Sequence, residues 1–433
     1  MEKKNFVQDA MQEVESLLKN AFAAAMQQGK LPENELPAFT VEIPAETTHG
    51  DFASNAAMVS ARTFRMAPVK IANILAECID CASARYIDRV EIAGPGFINF
   101  FVSDAWFASI VSGVLEAGEE YGRSDIGKGE KVMVEFVSAN PTGPMHMGNA
   151  RGGAIGDCLA AALDACGYDV TREFYINDAG NQIEKFGLSL EARYLQIYKG
   201  EDAVPFPEDG YHGEDIKERA QQYADEHGDC LLNLSEAERR QALVDFALPK
   251  NIEKLRTDLE KYRITYDVWF PESTLHQSGA VKAVVDELTS RGMTYEKDGA
   301  IWYKATEFGG EKDEVLVRAN GNPTYFTADI AYHKNKFVDR HFDRVINVWG
   351  ADHHGHVARL KGAMDAIGLD GSKLDIVLMQ LVRLMKDGEP YRMSKRTGKS
   401  ITLSDLTDLV PIDAARFFFN MREPNSTLDF DLD

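Results

Sequence analysis

Two stretches of this sequence carry residue types and spacings able to do chemistry. The first is VEFVSANPTGPMHMGNARGGAIGD, Val134 to Asp157. An apolar strand over Lys131–Val137 is followed by Pro141, Gly143 and Pro144, which forbid regular structure. A helix then starts with Gly148, Ala150, Gly152, Gly153, Ala154 and Gly156 in its first turns. Such a build brings a helix N-terminus against an anion, because unpaired N–H groups and the helix dipole favour phosphate there. His146 and Asn149 add side-chain donors at the same mouth. Close helix–sheet packing explains the glycines equally well, since glycine patterns alone are weak signals.

The second stretch is YRMSKRTGKSITLSDL, Tyr391 to Leu406. Arg392, Lys395, Arg396 and Lys399 surround Gly398. Cations on a glycine-bearing loop suit a polyphosphate whose charge grows in a transition state. Taken alone, the stretch also reads as a solvated basic loop.

The elements that must position these residues follow an alternating pattern. Strands are expected at Val132–Val137, Val170–Ile176, Arg344–Trp349 and Asp375–Leu381, with helices at Met147–Ala165, Ala179–Tyr198 and Gly355–Ala366. That order implies a Rossmann-like parallel α/β sheet covered on both faces, with the ligand across the carboxyl ends of the strands. The expected organisation is an N-terminal α/β domain over 1–112, a nucleotide-binding domain over 113–403, and a helical region from 404 to 433. An insertion is placed near 200–300, where the acidic stretch 201–250 reads as exposed helices with a solvated face. In the first domain a helix is expected at Asn5–Gln28 and a strand at Phe39–Pro44. A strand pair is expected at Val90–Val102 around a Gly-Pro-Gly turn.

Composition narrows the class. With 433 residues the chain holds roughly two to four domains. Its 69 acidic and 47 basic residues leave a net charge of −22, the wrong sign overall for a nucleic-acid binder. Any such partner must meet a local basic face, while a cationic small molecule fits an acidic pocket more readily. Five cysteines give no disulfide framework. Cys78 and Cys81 sit in a helix-like run without a second ligand pair, so packing is expected there, and small buried thiols are expected at Cys158 and Cys166. No apolar run approaches a membrane span, and the amphipathic N-terminus lacks a signal-peptide core, so a cytoplasmic location is expected.

The two stretches together resemble the signature motifs of class I aminoacyl-tRNA synthetases, and their surroundings resemble the arginyl-tRNA synthetase family. The likeness runs through ETTHGDFASNAA (Glu46–Ala57), AGPGFINF (Ala93–Phe100), EFYINDAGNQI (Glu173–Ile183), YFTADIAYH (Tyr325–His333), WGADHHGH (Trp349–His356) and LDFDLD (Leu428–Asp433). Two departures stand out: the second histidine of the first signature is Asn149, and the second signature carries Arg392 and Arg396.

The resemblance implies ATP-dependent formation of arginyl-adenylate and transfer of arginine to the 3′-terminal adenosine of tRNA(Arg), with Mg²⁺ accompanying the nucleotide. His146, Asn149 and Lys395 are the implied catalytic residues. Gly148, Gly350, Asp352 and Met393 join them in binding ATP. Glu135, Ser138, Asn140, Tyr325 and Asp329 are matched to the arginine pocket, with Asp329 as guanidinium partner; for Ser138 and Asn140, capping of the turn is the competing role. No metal site is expected, and the cluster His353, His354 and His356 is rejected as a zinc site for want of a completing ligand. A monomer is expected. Relatives continue into a helical anticodon-binding domain, so the resemblance implies truncation after the LDFDLD segment. Two other readings stay open: a class I synthetase for another amino acid, and a non-catalytic ATP- or tRNA-binding fragment.

Overall fold

A computed structural model describes residues 5–391 and 401–432. The chain divides into two units, Met1–Ser124 and Asp125–Asp433.

In the first unit, α1 (Phe6–Gln27) starts where the Asn5 side chain accepts the N–H of Gln8 at 3.1 Å. It buries Val14, Leu18 and Phe22, spaced four apart. There follow β1 (Val41–Glu42), β2 (Phe52–Ser54), α2 (Ala56–Phe64), α3 (Pro68–Cys78), β3 (Ile87–Ala93), β4 (Phe97–Val102) and α4 (Asp104–Ala117). The strands form an antiparallel sheet in the order β1-β2-β4-β3. The strand expected at Phe39–Pro44 shrinks to the two residues of β1. The expected strand pair is β3 and β4, turned at Gly94 and Gly96, which have φ of 52° and 122°. Cys81 lies beyond α3 rather than within it, in a turn capped by the Asp80 side chain. Both it and Cys78 pack against the unit's core.

The second unit continues with β5 (Lys131–Glu135), α5 (Met147–Ala165), β6 (Asp169–Ile176), α6 (Asn181–Lys199), α7 (Glu214–His227), α8 (Glu236–Lys261), β7 (Val268–Pro271), α9 (Ser273–Gln277) and α10 (Ala280–Ser290). Next come β8 (Thr294–Lys297), β9 (Ala300–Tyr303), β10 (Glu314–Val317), α11 (Tyr325–Lys334), β11 (Arg344–Gly350), α12 (His354–Ala366), β12 (Leu374–Met379), β13 (Val382–Lys386) and β14 (Glu389–Pro390). The last elements are α13 (Leu403–Leu409), α14 (Ile412–Asn420) and β15 (Leu428–Asp431).

Five strands form one parallel sheet in the order β12-β11-β5-β6-β7. Along β5, Val132 and Val134 enter one core and Met133 the other, so both faces are covered. From β5 the chain winds outward to β6 and β7, then returns to the opposite side as β11 and β12. The winding therefore reverses between β5 and β11, the place where such sheets open a ligand crevice.

Four features differ from the sequence expectation. The edge strand β7 was not anticipated, and neither was the antiparallel sheet β10-β9-β8 that precedes α11. The first strand ends at Glu135 instead of Val137. Val137 and Ser138 take φ of 68° and 41°, and the Ser138 N–H donates to the Phe136 carbonyl at 3.0 Å. This is a left-handed γ-turn, strained for a β-branched residue. The closing LDFDLD segment is extended rather than helical, with β15 pairing parallel to β13. Helices α6, α7 and α8 form a small core of their own around Phe186, Leu190, Ile216 and Leu243.

The glycines of α5 separate into two kinds. A Cβ on Gly156 would stand 2.2 Å from Phe136 Cγ, so this residue serves close helix–sheet packing. A Cβ on Gly148 would meet nothing within 4 Å; this glycine faces open space at the helix mouth.

Candidate active site

The γ-turn after β5 presents Glu135 and Ser138 at the crevice. Glu135 Oε1 accepts the Ser138 hydroxyl at 3.0 Å, and Ser138 Oγ accepts the Tyr175 N–H at 3.1 Å. Glu135 Oε2 lies 2.6 Å from Lys336 Nζ, which is wholly buried in the π-helical turn that follows α11. Lys336 also reaches Asn347 Oδ1 at 3.3 Å and lies 4.0 Å from the Tyr332 ring centroid. Charged hydrogen bonds and ring contact together compensate the burial of this ammonium.

Helix α11 carries Tyr325 and Asp329 one turn apart, so both face the crevice. Asp329 Oδ2 lies 2.7 Å from His356 Nε2. At the end of β7, Glu272 is buried and raised above the usual carboxylate range, chiefly by burial. His276 Nε2 lies 3.2 Å from its carboxylate, and the Asn177 amide, oriented to satisfy its neighbours, donates to it at 3.2 Å. Neither Asp329 nor Glu272 has a Lys or Arg partner among the described residues. Tyr175 is also raised, first by burial and then by Glu272, Asp329 and Glu135. Three carboxylates thus surround one phenol, and among the described residues only Glu135 has a Lys or Arg partner.

These groups bound a cavity of about 480 Å³. It brings together Glu135, Ser138, Asn140, Tyr325, Asp329 and Gly350, from three separate segments of the chain. Tyr175, Gln182, Glu272, His353, His356 and Arg359 line it as well, and sequence reasoning assigned none of them to a site. A larger cavity of about 1050 Å³ shares Glu272 and Tyr325 with it and runs along α6 to Arg318 and Asn322.

The remaining residues matched to ATP lie elsewhere. His146 caps α5 from an exposed position, with its own N–H donating to Asn149 Oδ1 at 3.0 Å. Asn149 therefore braces the turn. Asp352 is exposed after β11, beside His353 at 3.8 Å. A Cβ on Gly350 would stand 2.4 Å from Oδ1 of the exposed Asp352 side chain, which would have to turn aside to admit it. Met393 and Lys395, with Arg392, Arg396 and Lys399, lie outside the described residues. The segment that follows them is anchored at the helix mouth: Met147 N–H donates to Ile401 O at 3.1 Å, and Leu403 N–H to Met145 O at 2.8 Å. Arg151, buried one turn into α5, donates to the carbonyls of Gln380, Glu423 and Ser426. Among the described residues no group of three or more His, Cys, Asp or Glu could hold a metal. No described helix is long and apolar enough to cross a membrane. All five cysteines are free, and Cys158, expected to be buried, is exposed.

A parallel sheet whose central strand feeds a Pro- and Gly-rich turn and a helix mouth, with an acidic cavity at the switch point, defines the catalytic domain of a class I tRNA synthetase. The family model described as tRNA synthetases class I (R), catalytic domain, matches residues 110–429, and that for the arginyl tRNA synthetase N terminal domain matches residues 12–102. The chain is 58% identical over 429 residues to the arginine--tRNA ligase of Acetivibrio thermocellus, covering 99% of this chain and 76% of that protein. It is 59% identical, with the same coverage, to the arginine--tRNA ligase of Caldanaerobacter subterraneus subsp. tengcongensis. Among solved structures, a putative arginyl tRNA synthetase from Campylobacter jejuni matches with TM-score 0.70 at 37% identity, over 76% of this chain and 71% of that one. The Thermus thermophilus arginyl-tRNA synthetase shares the fold, with TM-score 0.61 at 20% identity over 96% of this chain and 76% of that one. The chain belongs to the arginyl-tRNA synthetase family.

Proposed function

We propose that this chain activates arginine with ATP and transfers it to tRNA(Arg). The observation that carries the reading is the acidic cavity at the β5–β11 crevice, where Asp329 and Glu272 have no Lys or Arg partner among the described residues. A cationic amino acid supplies the missing charge. A guanidinium offers a planar fork of donors to Asp329, with Tyr325 beside it on the same helix. Ser138 and Asn140 lie at the end of the cavity nearer the γ-turn and meet the polar backbone of the amino acid.

In the first step the arginine carboxylate attacks the α-phosphorus of ATP and pyrophosphate leaves. The mouth of α5, with His146 as cap and Gly148 open to close approach, receives the triphosphate through its dipole and N–H groups. Lys395 neutralises the departing phosphates. Mg²⁺ accompanying the nucleotide would supply further positive charge to the phosphates. In the second step the hydroxyl of the 3′-terminal adenosine attacks the activated carbonyl and AMP leaves. The larger cavity, which opens on Tyr325 and Glu272, gives that adenosine a route to the carbonyl. Catalysis on this reading is alignment and charge neutralisation, without a covalent enzyme intermediate. The setting is the cytoplasm, where five free thiols stay reduced.

The test is ATP–pyrophosphate exchange over all amino acids with tRNA(Arg) present. Exchange with arginine alone is expected. Exchange with a different amino acid overturns the substrate, and ATP binding without any exchange favours a binding module.

A further inference from the structure

The histidine-rich run after β11 holds a side chain for which no role has yet been given. His356 sits between two charged partners: its Nε2 lies 2.7 Å from Asp329 Oδ2, and its Nδ1 lies 2.6 Å from Arg359 Nε. Arg359 in turn donates to Glu314 Oε1 at 2.7 Å. An arginine Nε can only donate, so Nδ1 must accept. The imidazole proton is then on Nε2 and points to Asp329. A second proton on Nδ1 would face the guanidinium N–H head-on. The ring is also held between aromatic neighbours, with Phe326 at 5.6 Å edge-on and Trp349 at 5.4 Å between centroids. The Asp329 carboxylate has no other hydrogen-bond partner among the described residues.

We propose that Arg359 and His356 are positioning residues that keep Asp329 a full anion aimed at the guanidinium of arginine. Arg359 fixes His356 as a neutral Nε2–H donor. That donor orients one carboxylate oxygen and leaves the other free for the substrate, with the group's net negative charge uncancelled. A charged imidazolium in this place would neutralise Asp329 before arginine arrived. The neighbouring Arg359–Glu314 pair keeps the added guanidinium from spending its own charge on the cavity. The assignment rests on the reading that Asp329 takes the guanidinium.

The experiment measures L-arginine and ATP affinity calorimetrically for the whole chain and for Arg359→Met, Arg359→Lys, Glu314→Gln and Asp329→Asn. L-citrulline serves as the neutral isostere, and ¹⁵N NMR reads the tautomer of His356. Arg359→Met is expected to weaken arginine about tenfold, the scale of one lost charged hydrogen bond, with ATP affinity unchanged. Arg359→Lys, which keeps a donor, recovers most of that loss, and Glu314→Gln, which leaves the Arg359 charge unmatched beside the cavity, is expected to weaken arginine while the His356 tautomer stays as it was, because Arg359 still holds Nδ1. Citrulline binding stays weak in every variant. In the unaltered chain His356 is expected as the neutral Nε2–H form, a measurement that needs no variant to fold. A charged or Nδ1–H His356 there overturns the proposal. So does an unchanged arginine affinity in Arg359→Met while Asp329→Asn weakens arginine, a result that leaves the pocket reading intact. Unchanged arginine affinity in Asp329→Asn overturns the pocket reading and the proposal with it.

Discussion

Lys336 Nζ stands 2.6 Å from Glu135 Oε2 with no solvent access to the lysine side chain. Removing one member of a buried pair strands the other charge, which costs about 3–5 kcal/mol. Lys336→Met is therefore expected to destabilise the second unit by that amount. The double variant Lys336→Met/Glu135→Gln should recover much of it, because no unpaired charge is left. Urea unfolding of both singles and the double closes the cycle. Additive losses would show that the pair is not coupled.

A second expectation concerns pH. His333 is wholly buried and held well below its ordinary value of 6.5, first by burial and then by Lys336. Its Nε2 accepts from Asn347 and its Nδ1 donates to the Asp329 carbonyl, so the neutral form is the one the fold uses. The unfolded chain takes up the proton that the folded chain refuses. The contribution of His333 is therefore complete above about pH 6.5 and is lost as pH falls below it. Melting temperatures from about pH 7.5 to about pH 5 should fall in the unaltered chain and fall less in His333→Gln. Parallel curves would place the acid sensitivity elsewhere.

The helix α5 glycines should separate under the same substitution. Gly156→Ala pushes a methyl into Phe136 and is expected to cost about 1–3 kcal/mol of stability. Gly148→Ala meets open space, so stability should hold while ATP affinity drops. Thermal unfolding and nucleotide titration distinguish the two. Equal effects on both readouts would mean that Gly148 is a packing residue too.

Glu272 sets stability against binding. Burial raises its carboxyl, so the ionised form is the strained one and stability rises as pH falls toward its unfolded value of 4.5. Glu272→Gln removes that penalty and is expected to raise the melting temperature by ~2 °C. The same change should weaken arginine, because one of the two unmatched carboxylates is gone. A variant that lost stability and kept arginine affinity would contradict both halves.

Lys395→Ala is expected to slow adenylate formation by about 2.7–4 kcal/mol of barrier, the typical worth of one group that meets charge developing in the transition state. Arginine affinity should stay as it was. Single-turnover quench kinetics measure the step directly, and an unchanged rate would move the phosphate contact to Lys399 or Arg392.

Much of this architecture could be read in the residues themselves. Helix α5 falls at Met147–Ala165 as expected, because Pro144 and His146 fix its start and Gly167 follows its end. Asp329 and Tyr325 share one helix because their spacing is four. Other parts depend on tertiary burial that no local pattern encodes. The segment VWFP is four half-buried residues without alternation, so β7 left no period to find. Glu272 was missed for the same reason, since it is placed by that strand. Lys336 reads as a surface lysine and is buried only because a π-turn swings it toward Glu135. Asn149, read as a donor to ATP, uses its Oδ1 to accept the N–H of His146, a bracing contact that no sequence pattern shows.

The tie between Arg151 and the carbonyl of Ser426 spans 275 residues. During synthesis at roughly 5–20 residues per second, a gap of that size takes about 15–55 s to cross. Throughout that time the helix mouth is already made but its far wall is not. Met147 has no Ile401 to bond, and Arg151 has no carbonyls to fill its donors. The nascent chain thus carries the mouth of α5 open until β15 arrives, so synthesis that stalls before that strand leaves Arg151 without the carbonyls that fill its donors.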